Sequence, residues 1–282
     1  MSDPRPIGVF DSGLGGLTAV RELMRALPLE SVAYFGDTAR VPYGNKSRET
    51  VTRFGLEISA FLGHQNVKCV VVACNTASSL ALPELVRESA VPVIGVIEPA
   101  VRVAIEQSPN RRIGVIGTHG TIGSGAYAAA IERLAPGTHV MSRACPLFVP
   151  LVEEGWLRHP VTRAVAEEYL AELKGARLDT LILGCTHYPL LQGLIAEVMG
   201  PGVTLVDSGA AAAHATAAVL EKANALAAGP AQHRFYLSDE PRAFEKVGSS
   251  FLGRAMPPVT VVDQNDLHWF ERASLGTPRS GT

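Results

Sequence analysis

The chain has 282 residues, of which 47% are hydrophobic and 18% charged, with a net charge of −2 and a mean hydropathy of +0.17. That length suits one large domain or two compact ones, and the composition excludes wholesale disorder. A nearly neutral chain without a basic cluster exerts no general pull on nucleic acid or anionic membrane, and no apolar run reaches the ~18–20 residues of a membrane span. The opening MSDPRPIGVFDSG lacks the apolar run of a signal peptide, so a cytoplasmic location is expected.

Ile7–Phe10 is the first strand-like run. The turn DSGLGG at Asp11–Gly16 follows it, and apolar residues recur at helical spacing over Leu17–Leu27. Thr18 stands where a dinucleotide fingerprint needs its third glycine, and no Walker lysine follows. The turn therefore reads as a place where backbone approaches a substrate closely, not as a phosphate cradle. Val32–Phe35 is the second strand. VPYGNKS at Val41–Ser47 is either a surface turn or a loop closing over a substrate, and Asp37 before it is either a turn or a cleft residue.

A helix is expected over Glu49–Leu62, then strands at Cys69–Ala73 and Val93–Val96. Strands at Ile113–Ile116, Thr180–Leu183 and Val203–Val206 follow, with a helix over Ala164–Leu173 between the first two. Continuous apolar runs of this length suit parallel strands buried on both faces, which makes the chain α/β. An Ala-rich helix (Ala210–Leu226), a turn at Gly229–Pro230, the strand-like His233–Asp239, a short helix around Arg242–Leu252 and VTVVD at Val259–Asp263 complete the pattern.

The pattern repeats. IGVFDSG at Ile7–Gly13 resembles IGVIGTHG at Ile113–Gly120, and VVVACNTAS at Val70–Ser78 resembles LILGCTHYP at Leu181–Pro189. From Val9 to Cys74 is 65 residues, and from Val115 to Cys185 is 70. Two similar, pseudo-twofold-related lobes with mainly parallel sheets are expected, their motif-bearing ends facing one cleft. The first lobe should comprise residues 1–98 plus 208–270, the second 99–207, and residues 271–282 a loose tail.

Cys74 and Cys185 hold matching positions, each ending a strand and preceding a helical pattern. Strand ends of an open parallel sheet form the ligand crevice, and a helix N-terminus there stabilises thiolate. Asn75, Thr76 and Thr186 can help hold a substrate carboxylate. Cys69 and Cys145 read as small core residues. In a long cytosolic chain the four cysteines are not expected to form structural disulfides, and without a C-x-x-C pair zinc is not expected either.

Two facing thiols suit stereochemical inversion, since one takes a proton from one face of a carbon while the other delivers to the opposite face. Asp11 follows the first strand and can serve Cys74, unless it is an ordinary turn carboxylate. His187, two residues after Cys185, can relay that thiol's proton. Of Glu153 and Glu154, one is expected to face the cleft.

These motifs together resemble the glutamate racemases of the aspartate/glutamate racemase family. The matching pieces are FDSGLGGLTAVREL, YFGDTARVPYGNKS, VVACNTASSLAL, IEPA, CPLFVPLVEEG, LILGCTHYPLL and LVDSGAA, in order from Phe10 to about Ala211. The resemblance implies cofactor-independent interconversion of L- and D-glutamate, supplying D-glutamate for peptidoglycan, by a protein that is often a homodimer. It assigns the catalytic cysteines to Cys74 and Cys185, with Asp11 beside the first, His187 beside the second, and Glu153 as the acid after the PLV sequence. Substrate contacts carried over are Asp11, Ser12, Pro42, Tyr43, Gly44, Asn75, Thr76 and Thr186, with Thr118 and Thr121 in a further contacting loop. Three other readings are weighed: a racemase for aspartate or hydantoins, a two-lobed amino-acid binding protein, and a hydrolase using Cys185 and His187 that leaves Cys74 without a task.

Overall fold

The computed structural model describes residues 2–240, 244–265 and 268–271. Among them, ten strands form two sheets in which every pairing is parallel. The first sheet has the order β10-β9-β2-β1-β3-β4, with β1 Ile7–Asp11, β2 Val32–Gly36, β3 Cys69–Val72, β4 Val93–Gly95, β9 Arg234–Leu237 and β10 Val259–Val261. The second has the order β6-β5-β7-β8, with β5 Arg112–Gly117, β6 His139–Ala144, β7 Thr180–Gly184 and β8 Thr204–Asp207.

The duplication is visible in these orders. β2-β1-β3-β4 and β6-β5-β7-β8 are the same arrangement written twice, and β9 and β10 extend the first copy beyond β2. Every residue of β1, β2, β3 and β7 is buried, as unbroken apolar runs require of strands covered on both faces.

β6 is the strand that hydropathy does not reveal. Its sequence HVMSRA sits at a sheet edge and is partly open to solvent, so no apolar run was needed to build it. The Ala-rich helix runs over Ser208–Lys222 instead of the expected Ala210–Leu226. Asp207 caps it, accepting from the N–H groups of Gly209 at 2.7 Å and Ala210 at 3.2 Å. The short helix expected around Arg242 covers Phe244–Leu252. Arg242 and the tail beyond Glu271 lie outside the described residues.

At the N-terminal ends of the first sheet's strands, Lys68 and Glu30 form an enclosed ion pair at 2.6 Å. Lys68 Nζ also donates to the carbonyls of Asp3 (2.8 Å) and Ala225 (2.7 Å), and Glu30 accepts from the Ala227 N–H at 2.7 Å. A charge left alone in such a place costs about 3–5 kcal/mol. The pair holds the chain leaving the Ala-rich helix against the first sheet, ready to add β9. No described helix is long and apolar enough to cross a membrane.

Candidate active site

The C-terminal ends of both sheets meet around one cavity of about 250 Å³. Ser12 follows β1, Cys74 lies just beyond β3, Thr118 follows β5, and Cys185, Thr186 and His187 follow β7; all of them line it. The loop after β2 contributes Pro42, Tyr43 and Gly44, while Asn75 and Thr76 complete the wall next to Cys74. A larger cavity of about 1000 Å³ lies elsewhere, on the first sheet's helical side, and contains neither thiol.

Cys74 caps the helix Asn75–Leu80, its Sγ accepting from the Ala77 N–H at 3.4 Å. Burial pushes the thiol up to about 12 and the Asp11 charge adds to this, with the Ala77 N–H and the Ser12 hydroxyl opposing. Asp11 itself is fully buried. Burial raises its carboxyl, opposed by the His187 charge and the N–H groups of Gly16, Gly13 and Ser12. One oxygen accepts from the Gly13 N–H at 3.2 Å; the other, Oδ1, has no hydrogen-bond partner among the described residues.

Cys185 Sγ lies 3.8 Å from His187 Nδ1, and His187 Nε2 lies 3.0 Å from Glu153 Oε1. Burial alone would depress this imidazole, but Cys185 and Glu153 outweigh it and raise it to about 10. Both partners thus favour the protonated imidazole. Glu153, not Glu154, is the acid that reaches it, from the end of the helix Phe148–Glu153. Its side chain is 48% exposed, so this ion pair touches bulk water at one end.

His187 is also hemmed in from the first sheet's side. A Cβ on Gly15 would come within 2.6 Å of His187 Nδ1 and 2.3 Å of Thr186 Oγ1, so the DSGLGG turn must be side-chain-free there. The turn does bring backbone close, but what it approaches is the opposite lobe's imidazole. Thr18 bridges the lobes as well, its hydroxyl lying 2.9 Å from the Gly15 carbonyl and 3.0 Å from the Thr186 carbonyl.

Thr76, Thr118 and Thr121 bring three hydroxyls together across the cleft, at 3.0 Å for Thr76–Thr118 and 3.2 Å for the other two pairs. Asp37 does not line the cavity. It is fully buried and accepts from Arg40 Nε at 2.7 Å, from Ser238 Oγ at 3.0 Å and from the Tyr43 hydroxyl. Asp37 is a turn residue, not a cleft residue: its carbonyl accepts from the Arg40 N–H at 3.2 Å, and its carboxylate also anchors Tyr43, whose ring packs 5.6 Å from that of Phe54.

Of the residues named from sequence, Asp11, Thr121 and Glu153 do not line the cavity either; each stands behind a residue that does. Lining residues not anticipated are Asn45, His119, Pro146, Val149, Pro150 and Gly184. Pro146, Val149 and Pro150 lie within CPLFVPLVEEG, but apolar side chains that shape a wall leave no chemical mark in a sequence.

Comparison with known proteins gives the same account. The profile described as Asp/Glu/hydantoin racemase matches residues 11–242. A glutamate racemase of Syntrophus aciditrophicus is 52% identical over 90% of this chain and 95% of its own length. The crystal structure of a glutamate racemase isoform from Bacillus anthracis superposes with a TM-score of 0.89 at 40% identity, covering 92% of this chain and 98% of that one. That of the Francisella tularensis glutamate racemase in complex with D-glutamate gives 0.87 at 40% identity, covering 93% and 99%. This chain, a duplicated α/β frame with one cavity-lining thiol from each half, matched along nearly its whole length by these proteins, belongs to the Asp/Glu/hydantoin racemase family.

Proposed function

We propose that this protein is a glutamate racemase, in which Cys74 and Cys185 act on opposite faces of the substrate Cα without a cofactor. The observation that carries this is the pair of thiols lining one small cavity, each with its own proton partner. In one direction a thiolate removes the Cα proton, and the C–H electron pair stays on carbon. The thiol across the cavity then gives its proton to the other face and becomes the thiolate. The opposite direction exchanges the two roles.

Each turnover leaves the sulfurs with exchanged protonation, so each needs a group that resets it. The His187 imidazolium serves Cys185. Asp11, with one free oxygen and a carboxyl raised by burial, serves Cys74. The positive charge of a substrate ammonium group entering beside Cys74 favours the deprotonated thiol there. Thr76, Thr118, Thr186 and Asn75 offer fixed donors to the substrate carboxylates and to the charge that develops on deprotonation. Ser12 and the Pro42–Gly44 loop close the remaining wall, which excludes water from the carbanion.

The same reading divides the chain into residues 1–98 with 208–270, 99–207, and a tail. It is supported by the pairing of β9 on β2, which returns the chain to the first sheet. It also carries a cytoplasmic homodimer that supplies D-glutamate for peptidoglycan. The test is incubation of either glutamate enantiomer in deuterated water. Loss of optical activity with one deuterium at Cα is expected, with aspartate turned over far more slowly. Tight glutamate binding without exchange would overturn the assignment in favour of a binding protein.

A further inference from the structure

Asn75 directly follows Cys74, and both polar ends of its side chain are held by residues of helices far along the chain. Its amide nitrogen donates to Ser208 Oγ at 3.1 Å, and its carbonyl oxygen accepts from Tyr127 Oη at 2.6 Å. Ser208 opens the helix after β8, and Tyr127 lies in the helix Ala126–Leu134.

Both arms run on to the chain segment that carries Cys185. Ser208 Oγ donates to the Leu183 carbonyl at 3.0 Å, two residues before Cys185. The Tyr127 ring packs against Gly184, the residue immediately before Cys185, so closely that a Cβ there would lie 3.2 Å from Tyr127 Cε2. The residue after one thiol is thereby tied to the two residues before the other.

We propose that Tyr127 is a positioning residue that sets the separation of the two sulfurs. Asn75, Tyr127 and Ser208 are each no more than 3% exposed. Hydrogen bonds in such surroundings are strong, and leaving one partner unmatched is costly. Proton transfer at carbon tolerates little error, and a misplacement of about 1 Å costs on the order of a hundredfold in rate. Racemisation is exposed to that error twice, because every turnover uses both sulfurs. The threonine cluster also crosses the cleft, but Thr76 and Thr118 line the cavity and their hydroxyls are open to substrate. Tyr127 does not line it and acts on the site through Asn75, which does.

This proposal rests on the two-thiol mechanism above. Its test is Tyr127→Phe, which keeps the ring against Gly184 and deletes only the donor. The expected result is a fall in kcat of about tenfold in both directions with KM within about threefold. Deuterium entering Cα with retention of configuration should rise relative to inversion, since one sulfur still abstracts while its opposite number is displaced. A role confined to stability predicts a lower Tm with kcat per folded molecule and the retention ratio unchanged, and that result overturns the proposal. If Tyr127→Phe yields too little folded protein, Ser208→Ala cuts the other arm and is judged by the same retention ratio, unchanged meaning refuted. Failure of the underlying mechanism is separately visible, as a wild-type protein that does not racemise glutamate.

Discussion

The two halves of the site share a backbone frame but not their chemistry. Around Cys74 the partners are a fully buried carboxyl, a backbone N–H and the hydroxyl of the partly exposed Ser12. Around Cys185 an imidazole held at about 10 connects the thiol to Glu153, which is nearly half exposed. Duplication reproduced the strand order and the thiol position, and the loops then diverged. The comparison teaches that a symmetric reaction does not require symmetric proton handling. Among the described residues, the second thiol stands beside an imidazole–carboxylate pair and the first beside a buried carboxyl.

The strongest way to break this comparison is to delete a thiol. Cys74→Ala and Cys185→Ala should each reduce full racemisation by at least about a thousandfold, because no neighbouring group can replace the missing acid/base. Polarimetry of glutamate checks this, and full activity in either variant would show that the halves do not divide the work. A substrate with a leaving group at Cβ sharpens the result. Elimination needs only one abstraction, so each single variant should process one enantiomer and not the other.

Next in size are the proton partners. Asp11→Asn and His187→Asn should each lower kcat by about a hundredfold, mainly in the direction whose base is the neighbouring thiol, and therefore in opposite directions. Rates measured separately from L- and D-glutamate test this. Equal losses in both directions for both variants would mean that the partners act on substrate binding, not on their own sulfur.

The smallest expected effect concerns Glu153. Because its side chain is half exposed, solvent screens its charge, and Glu153→Gln should cost only about two- to tenfold in kcat. The pH profile is the sharper readout. His187 is raised from an ordinary value of 6.5 to about 10 in the folded protein. Its contribution to stability is therefore fully present below about pH 6.5 and is lost as pH rises through about 10. Removing Glu153 withdraws one of the two groups that hold the proton. The alkaline limb of activity and the alkaline loss of stability should both move to lower pH. An unchanged alkaline limb would mean that Cys185 alone holds the His187 proton.

Much of the frame was legible before any coordinates. Strands buried on both faces must be apolar throughout, so β1, β3, β5 and β7 announce themselves, and the repeat of two such strands around each cysteine betrays the duplication. β6 was silent because an edge strand with one open side is under no such demand. The adjacent acids Glu153 and Glu154 could not be separated either. Their difference is which one the helix ending at Glu153 turns toward His187, a matter of packing between segments far apart in the chain.

By itself, the sequence determined the α/β class, the twofold repeat, the two thiols that line the cavity and most of the residues beside them, since each is a local property of residue type and spacing. Only the tertiary structure decided what lies between the halves. Gly15 against His187, Thr18 against Thr186, and Tyr127 reaching Asn75 are contacts between residues 52 to 172 positions apart. Such pairs leave no periodicity to read, because a tyrosine on a helix looks the same whether it fills a core or fixes the distance between two sulfur atoms.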